Sequence, residues 1–431
     1  MVILNRPLRI ALLSYRSKPH CGGQGIYVRH LTRELHALGH HVEVFSGQPY
    51  PELDDGPVLR EVPSLDLYRD SDPFRTPRWG EYRDGADVLE TAMMWGGAFP
   101  EPLTFSIRAR RVLAERAGDF DVVHDNQGLG YGMLGVRRLG LPLVTSIHHP
   151  ISVDKRIDLA SSGRLAALNK RRWYGFVRMQ ARVARRLAGT CPLITVSESS
   201  RDDICRDFRV RPEHVHIIPL GVDTRIFRPR TEPRVPGRIV AVASADSPIK
   251  GTGTLLRAVG KLTTDTDAHL IVVGQPAPAT ERLAAHLSLA DRVTFTHGLS
   301  DEAFSALLAS AEMAVVPSLY EGFSLPALEH MASGTPLVAS RTGALPEVTG
   351  DAAVLVTPGE DEELAAVLRR LYHSPAERAA LADRGLRRVG ERFAWPAVAQ
   401  ATVGQYLAAM ERLATRTART TRTTRKGQAE C

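Results

Sequence analysis

The amino-acid sequence predicts an α/β protein with two domains, each built on a parallel β-sheet. The chain has 431 residues, which is long for one ordinary domain and comfortable for two. Buried-strand patterns alternate with amphipathic helix patterns in two separate series, and this alternation is typical of parallel sheets. The stretch 229–236 lies between the two series and contains three prolines, so we expect it to be a linker.

The first series opens with a buried-strand pattern at 8–14. A polar loop with glycines at 18–25 precedes an amphipathic helix from 26 to 38, which Gly39 is expected to end. A second strand at 41–45 completes a strand–helix–strand unit of the parallel type. Further strands of this series are predicted at 120–124, 143–147 and 193–197.

The second series starts near Arg238 and has the same alternation. Its strands are predicted at 239–243, 269–273, 293–295, 313–316 and 336–339. Residues 50–105 of the first series are rich in proline, aspartate and glycine, and are predicted to form long loops and short helices. Because ligands of open α/β sheets bind at the carboxyl ends of the strands, we expect a cleft between the domains to hold the site.

These patterns place the first domain at 1–228 and the second at 237–395. A last helix at about 396–413 follows the second series, and we expect it to pack back on the first domain. The segment 414–431 is rich in threonine and arginine and is predicted to be a disordered basic tail.

The net charge of +7 is concentrated in two stretches. Residues 170–188 hold seven basic residues and no acid, and residues 412–426 hold six more, again without an acid. The remainder of the chain therefore has a net charge of −6, which argues against nucleic acid as a partner.

The four cysteines are scattered and show no CxxC pattern, so neither a disulfide framework nor a cysteine metal site is expected. The N-terminus lacks the pattern of a secretory signal, and no apolar run is long enough to span a membrane. We therefore expect a cytoplasmic protein.

The strongest chemical motif is the segment EGFSLPALE at 321–329, which follows a predicted strand and opens a helix. Ser324 suits the N-cap and Pro326 the first turn, and the unpaired N–H groups of a helix start favour phosphate. Glu329 lies inside that helix, where a carboxylate can accept both hydroxyls of a ribose, while Glu321 in the loop can reach a sugar beyond the phosphates. The motif alone is equally compatible with two surface acids near an ordinary helix.

The segment 321–340 resembles the signature of retaining GT-B glycosyltransferases of family 4. Other segments resemble the same family in the same order: IIPLGVD at 217–223 followed by Phe227, Lys250-Gly251, Val273-Gly274, Gly298, Phe393-Ala394-Trp395, Gly22-Gly23 and the histidine pair 148–149. The resemblance covers residues 8–410 and implies the GT-B fold, with two Rossmann-like domains facing a cleft. It identifies neither the sugar nor the acceptor.

The resemblance also implies roles for individual residues. The donor would be a nucleoside-diphosphate sugar, a UDP- or GDP-sugar, and would contact Gly23, Ser244, Lys250, Gly274, Gly298, Glu321, Gly322, Phe323, Ser324, Leu325 and Glu329. Among these, Lys250 would neutralise the diphosphate, Glu321 would contact the donor sugar, and Glu329 would hold the ribose. His148 would line the cleft and hydrogen-bond the sugar, with His149 as a rival and an ordinary loop histidine as the alternative interpretation.

One position departs from the family pattern. Ala245 stands five residues before Lys250, where the family usually has an arginine that clamps the diphosphate with the lysine. Either another basic group substitutes, or the hydroxyls of Ser244 and Ser247 contribute; the difference matters because lysine lacks the planar fork of arginine.

The reaction implied is transfer of a sugar to an acceptor hydroxyl with retention of configuration, without a metal ion or a cofactor. The acceptor could be a glycan, a lipid or a small metabolite. Two alternatives stay open: another GT-B enzyme such as a sugar-nucleotide epimerase, and a catalytically silent nucleotide-sugar-binding protein.

The basic stretch 170–188 has two interpretations. One is a helix packed on the first sheet with a solvated basic face; the other is a surface for an anionic membrane or acceptor, which would place the protein at the inner face of the membrane.

Overall fold

The computed structural model describes the backbone of residues 6–18, 23–69, 71–160, 163–243 and 248–429, and the side chains of these except 164–165 and 417–429. These residues form two α/β units. The first contains the described parts of 1–196, 200–218 and 396–431, and the second contains 197–199 and 219–395.

The first half of the chain forms a strand-and-helix series. Its elements are β1 (Arg9–Ser14), α1 (Gly23–Ala37), β2 (His41–Ser46), β3 (Val58–Glu61), α2 (Gly85–Trp95), α3 (Glu101–Glu115), β4 (Val122–Asn126), α4 (Gly132–Val136), β5 (Leu143–Ser146), α5 (Ser152–Ala160), α6 (Arg164–Trp173), α7 (Phe176–Leu187), β6 (Leu193–Thr195), α8 (Glu198–Phe208) and β7 (Val215–Ile217).

The second half repeats the alternation and ends in three helices. Its elements are β8 (Val235–Val242), α9 (Thr252–Leu262), β9 (His269–Val273), α10 (Pro278–His286), β10 (Val293–Thr296), α11 (Asp301–Ala309), β11 (Ala311–Val316), α12 (Leu325–Ala332), β12 (Leu337–Ser340), α13 (Leu345–Thr349), β13 (Ala353–Val356), α14 (Asp361–Tyr372), α15 (Pro375–Arg392) and α16 (Trp395–Ala429).

The sheet of the first unit is parallel and, within the described residues, has seven strands in the order β3-β2-β1-β4-β5-β6-β7. Leu12 of β1 lies opposite Val44 of β2 on one side and His124 of β4 on the other. The chain order of the strands reverses between β1 and β4, so the carboxyl ends of these two strands mark the expected ligand crevice of this sheet.

The sheet of the second unit is also parallel, with six strands among the described residues in the order β10-β9-β8-β11-β12-β13. Its order reverses between β8 and β11, where Ile239 lies opposite Met313. The prediction of two parallel α/β domains is confirmed. Each unit has its own buried core, because the apolar strand residues and the inner faces of its helices pack together.

Predictions for several elements need correction. Within 50–105, the long loops and a short helix, α2, are present as predicted, but the structure also has an edge strand, β3, and the start of the longer helix α3. The side chains of β3 are mostly exposed, so the strand lacks the apolar pattern by which buried strands are found. Helix α2 begins where the Asp84 carboxylate accepts the N–H of Ala86 at 2.8 Å, a cap that the composition alone did not reveal.

The basic stretch 170–188 is not one helix. Helix α6 ends at Trp173 and α7 begins at Phe176, with Gly175 between them. Glycine is a poor helix former, and the neighbouring Tyr174 is fixed by a 2.7 Å hydrogen bond from its hydroxyl to Asp158 of α5.

The linker and the tail also differ from expectation. Residues 219–236 belong to the second unit, because Val222 forms a bridge with Ala394 and the ring of Phe227 packs edge-on against Phe304 at 5.7 Å. The segment expected to be a disordered tail continues α16 up to Ala429, and Glu430 and Cys431 lie outside the described residues. Proline, the strongest helix breaker, is absent from the sequence after Pro396, and arginine is a good helix former.

Candidate active site

The carboxyl edge of the second sheet collects the residues predicted to bind a donor. Lys250 lies in a short 3₁₀ turn after β8, Gly274 directly follows β9, and Gly298 follows β10. Glu321 lies in the loop between β11 and α12. Because β10, β9, β8 and β11 are successive neighbours in the sheet, the four segments meet at one edge, at the reversal of strand order.

Lys250 and Glu321 form an ion pair at the centre of this edge. The Lys250 Nζ lies 2.8 Å from Glu321 Oε1, and the Ser318 hydroxyl donates to the same oxygen at 2.7 Å. Glu321 is well buried and the lysine is about one-quarter exposed. A lysine ammonium has three donors, so Lys250 retains N–H groups that can reach a ligand phosphate.

Backbone contacts hold the β11–α12 loop against its neighbours. The N–H of Leu319 donates to the carbonyl of Ile249 at 2.7 Å, and the N–H of Ala344 donates to the carbonyl of Glu321 at 2.9 Å. Gly343 has φ +51, and a Cβ atom there would lie 2.2 Å from the Glu321 carbonyl oxygen. This close approach requires glycine, so the loop after β12 fixes the position of Glu321.

The start of α12 presents backbone N–H groups at the same edge. Within the described residues, the N–H groups of Phe323, Ser324 and Leu325 have no hydrogen-bond acceptor, as expected at a helix start. Ser324 caps the helix by accepting the N–H of Ala327 at 3.4 Å, and its φ of +90° is strained for a non-glycine residue. The unpaired donors and the positive end of the helix dipole favour an anion here.

The next loop positions differ in exposure. Gly322 is half-buried, whereas Phe323 is buried and packs edge-on against Phe393 at 6.0 Å. The Phe323 side chain therefore anchors the loop, and only its backbone remains available to a donor.

Glu329 is the fifth residue of α12 and is buried. Burial raises the pKa of its carboxyl group to about 8, with a smaller contribution from the negative charge of Asp301. In the described residues the carboxyl group has no hydrogen-bond partner, so its desolvation is uncompensated. Two ligand hydroxyls would supply the missing partners.

The loop that carries Ser244 and Ala245 lies outside the described residues. The predicted contact of Ser244 with the donor, and the consequence of alanine at 245, therefore stay predictions.

In the first unit, His148 follows β5 and is half-buried. Its Nε2 lies 2.7 Å from Asn126 Oδ1, and its backbone N–H donates to Gln127 Oε1 at 2.6 Å. Burial, followed by the positive charges of His149 and His124, lowers the pKa of His148 to about 3. The imidazole is therefore neutral near pH 7 and can only hydrogen-bond a ligand, not stabilise charge as a cation.

The side chain of His149 contacts a different residue, Asp154. Its Nε2 lies 2.9 Å from Asp154 Oδ2, in the first turn of α5. The two histidines therefore have different side-chain partners, Asn126 for His148 and Asp154 for His149. That His148 and not His149 contacts a ligand remains a prediction.

Gly23 is the first residue of α1, with nothing within 4 Å of a Cβ placed there. The sterically demanding glycine is Gly25, where a Cβ would lie 2.0 Å from the carbonyl oxygen of Lys18. Gly22 and the three residues before it lie outside the described residues.

Sequence reasoning missed three polar residues that contact predicted site residues. In the second unit, Ser318 lies three residues before Glu321. In the first unit, Asn126 is the last residue of β4 and Gln127 follows it, and both contact His148. The signal available for all three was their position at the carboxyl end of a predicted strand.

The described residues contain no group of three or more potential ligating side chains that could hold a metal ion. They also contain no helix that is long and apolar enough to cross a membrane.

Comparison with known proteins gives consistent matches over most of the chain. Residues 21–226 match the family model Glycosyltransferase Family 4, and residues 236–374 match Glycosyl transferases group 1. The MMP α-(1→4)-mannosyltransferase of Mycolicibacterium hassiacum is 57% identical over 413 residues, 94% of this chain and 100% of that protein. The D-inositol 3-phosphate glycosyltransferase of Streptomyces avermitilis is 28% identical, over 95% of this chain and 89% of that protein.

Solved structures show the same fold. Sucrose-phosphate synthase from Thermosynechococcus elongatus superposes with a TM-score of 0.69 at 23% identity, covering 93% of this chain and 98% of that one. Anabaena HepE, in complex with UDP and glucose, superposes with a TM-score of 0.67 at 16% identity, covering 93% and 100%. Together with the two parallel-sheet units, these matches show that the chain belongs to the family 4 (group 1) glycosyltransferases, with the GT-B fold.

Proposed function

We propose that the protein transfers a sugar, with retention of configuration, from a nucleoside-diphosphate sugar to an acceptor hydroxyl. The observation that carries this proposal is the carboxyl edge of the second sheet. There, Lys250, the unpaired N–H groups at the start of α12 and the buried, unpartnered carboxyl group of Glu329 lie on neighbouring segments. Lys250 and the N–H groups match the diphosphate of such a donor, and the carboxyl group of Glu329 matches its ribose.

The chemistry requires stabilisation of a leaving group. The bond between the sugar C1 and the diphosphate oxygen breaks, the acceptor oxygen bonds to C1 on the same face, and the acceptor proton leaves with the diphosphate. Negative charge grows on the phosphate as the bond breaks, so the preorganised N–H groups and Lys250 supply the largest contribution. No step in this scheme requires a metal ion or a cofactor.

The close relative supports a more specific donor and linkage. Because the mannosyltransferase of M. hassiacum is 57% identical over its whole length, we propose α-(1→4) mannosyl transfer as the activity to test first. The base of the nucleotide is uracil or guanine in this proposal, and binding measurements decide between them. The acceptor, the cytoplasmic location and contact of residues 170–188 with an anionic membrane stay predictions.

The test measures donor binding and turnover separately. We expect GDP-mannose or a UDP-sugar to raise the melting temperature of the wild-type protein, since a ligand that binds the folded state stabilises it by mass action. Lys250→Ala should weaken this shift and lower turnover by about a hundredfold or more. Lys261→Ala is the matched control, because Lys261 pairs with Asp361 and Glu362 outside the site.

Three results would contradict the proposal. Wild-type turnover in Lys250→Ala and Glu329→Gln would exclude this edge as the active site. Isomerisation of the donor without any acceptor would favour the epimerase alternative. Donor binding without a product in a broad screen of acceptors would favour the silent binding protein.

A further inference from the structure

The chain turns sharply away from the first sheet directly after β4. The ladder between β4 and β5 ends where the N–H of Gln127 donates to the carbonyl of Ser146 at 2.9 Å. Gln127 has φ +61, in the left-handed region that residues other than glycine rarely adopt, and it is buried. Strained backbone of this kind persists only where the surroundings over-determine it, and it is concentrated at functional sites.

The side-chain amide of Gln127 continues the ladder that its backbone leaves. Its Oε1 accepts the N–H of His148 at 2.6 Å, and its Nε2 donates to the carbonyl of His149 at 3.0 Å. A backbone N–H only donates and a carbonyl only accepts, so these two bonds fix the orientation of the amide. The Gln127 carbonyl in turn accepts the side-chain N–H of Gln180 in α7 at 3.2 Å. Gln127 therefore fixes the backbone of the two histidines.

The ring of His148 is held by two further residues of the first unit. Its Nε2 lies 2.7 Å from Asn126 Oδ1, and the ring of Tyr27 packs edge-on against it with 4.6 Å between the centroids. Asn126 and Tyr27 are both buried, and the Tyr27 hydroxyl lies 3.3 Å from the Ser146 hydroxyl. These contacts determine the plane of the imidazole in the absence of a ligand.

The contact with Asn126 also determines which ring nitrogen carries the proton. The His148 ring is neutral near pH 7, because burial is the main cause that lowers its pKa to about 3. An amide oxygen only accepts, so the proton lies on Nε2, and Nδ1 is left as a hydrogen-bond acceptor. Among the described residues Nδ1 has no hydrogen-bond partner, and it is not fully enclosed, in contrast to the unpartnered Nδ2 of Asn126.

We propose that Asn126 and Gln127 are positioning residues that present Nδ1 of His148 as the hydrogen-bond acceptor for a hydroxyl group of a sugar substrate. This inference rests on the proposed function, since it assumes that a sugar binds at the carboxyl edge of the first sheet. A hydroxyl can donate to Nδ1, whereas a carbonyl or phosphate oxygen cannot. The arrangement therefore selects for a hydroxyl at this point of the substrate.

The test reads the protonation of His148 in the full-length protein without substrate, by ¹⁵N NMR of labelled histidines. Comparison with His148→Gln identifies the signals of this residue. We expect the wild type to carry the proton on Nε2 near pH 7, with Nδ1 unprotonated. Asn126→Leu keeps a similar volume but removes the amide, so the buried Nε2–H loses its partner and the Nδ1–H tautomer should become populated.

A sugar hydroxyl should then be detected at Nδ1. The probes are the nucleotide-sugar that raises the melting temperature of the protein, its nucleoside diphosphate alone, and methyl α-mannoside. A shift of the Nδ1 signal caused by the nucleotide-sugar but not by the diphosphate assigns the hydroxyl to the donor, and a shift caused by methyl α-mannoside assigns it to the acceptor substrate. Turnover of Asn126→Leu and of Gln127→Met should fall by about tenfold, the effect of one lost hydrogen bond.

Thr32→Val is the matched control for the loss of a buried hydrogen bond. Thr32 is fully buried in α1 and donates to the carbonyl of Val28 at 2.8 Å, so its variant should lose stability but keep the tautomer of His148 and the turnover. A proton on Nδ1 in the wild type, or an unchanged tautomer in Asn126→Leu, would overturn the proposal. Wild-type turnover of Gln127→Met, or an Nδ1 signal that none of the probes shifts, would do the same.

Failure of this inference is distinguishable from failure of the proposed function. The tautomer of His148 is measured without substrate, whereas the proposed function fails if no nucleotide-sugar binds and no sugar is transferred. The shift in melting temperature caused by the nucleoside diphosphate, which carries no transferable sugar, should be the same in wild type, Asn126→Leu and Gln127→Met.

Discussion

At the scale of single residues, the Lys250–Glu321 pair determines the charge that an incoming donor meets. Glu321 Oε1 lies 2.8 Å from the lysine and so partly cancels its positive charge at the place where we propose that a diphosphate binds. Because the charge of Lys250 is partly cancelled, the unpaired N–H groups at the start of α12 contribute a larger fraction of the attraction for phosphate than they would beside an unpaired lysine.

The first prediction follows from this cancellation. Glu321→Gln keeps the shape of the side chain and removes its negative charge, so a free nucleoside diphosphate should bind several-fold more tightly. Turnover should fall by about tenfold or more, because the contact with the donor sugar is altered. Isothermal titration and initial rates measure the two effects.

Glu302→Gln serves as the control, since Glu302 is exposed and pairs with Arg230 outside the site. Weaker binding of the diphosphate by Glu321→Gln would contradict the electrostatic argument.

The second prediction concerns pH and Glu329. The pKa of this carboxyl group is raised to about 8, so it is mostly protonated at pH 7. Two ribose hydroxyls donate best to the ionised form, and donor affinity should therefore rise with pH, by up to about tenfold per unit, and level off above pH 8. Binding isotherms between pH 6 and 9 test this.

In Glu329→Gln the affinity should be lower and the rise with pH should disappear. Glu362→Gln, an exposed residue of α14, should keep the wild-type profile. A profile that falls with pH in the wild type would exclude binding to the ionised carboxylate.

Residue types could be predicted from the sequence better than their contacts. The spacing of Glu321 and Glu329 about a helix start was visible directly. The contact of Lys250 with Glu321 was not, because 71 residues separate them and their meeting depends on β8 lying next to β11.

At the scale of elements, the loop between β11 and α12 is held by glycines of other loops. Gly251 has φ +68, and a Cβ there would lie 2.0 Å from the Pro317 carbonyl oxygen; Gly343 meets the Glu321 carbonyl in the same way. The position of the site therefore depends on backbone contacts with segments that carry no chemistry themselves.

The third prediction tests this dependence. Gly343→Ala should shift the loop and lower donor affinity by about tenfold, because the new Cβ would overlap a backbone oxygen that cannot move alone. Gly140→Ala has a similar φ of +77 but nothing within 4 Å of its Cβ. It should lose only about 1 kcal/mol of stability through its backbone conformation, with normal donor affinity.

Equal donor affinity in the two variants would show that the glycine contact does not position the loop. Thermal denaturation of both proteins supplies the stability comparison.

Elements with buried apolar faces were predicted well, and those without such faces were not. Strands β1, β9 and β11 have buried, apolar residues and lie close to their predicted positions. The edge strand β3 is mostly exposed, and the break between α6 and α7 depends on Gly175 and on a hydrogen bond from Tyr174 to another helix. Long-range contacts of this kind leave little trace in local sequence.

At the scale of the whole molecule, the first unit is made from both ends of the chain. Residues 396–431 belong to it, and the Tyr406 hydroxyl lies 2.8 Å from His124 Nδ1, with both side chains fully buried. His124 Nε2 also lies 2.7 Å from the Ser146 hydroxyl. In a buried hydrogen-bond network of this kind, a polar group left without its partner costs free energy of folding.

The fourth prediction is that Tyr406→Phe destabilises the first unit by about 1–3 kcal/mol, because His124 loses a buried partner. In calorimetry, the unfolding transition of the first unit should move to lower temperature. The unfolding transition of the second unit, identified by its upward shift when a nucleotide-sugar is added, should not move.

Tyr372→Phe, a half-buried tyrosine of α14 in the second unit, is the control. Equal loss of stability in both transitions would show that the two units unfold together.

The ion pair between Lys250 and Glu321 has a further consequence, for the end of the catalytic cycle. On the proposed role of Lys250, the spent nucleoside diphosphate leaves with two or more negative charges and must part from its lysine. Glu321 can then act as the counter-ion of Lys250, so the ammonium group does not remain as an unpaired charge in low-dielectric surroundings. Because the Glu321 carboxylate weakens binding of the nucleoside diphosphate, this product would dissociate faster. Accumulated diphosphate would therefore inhibit turnover less.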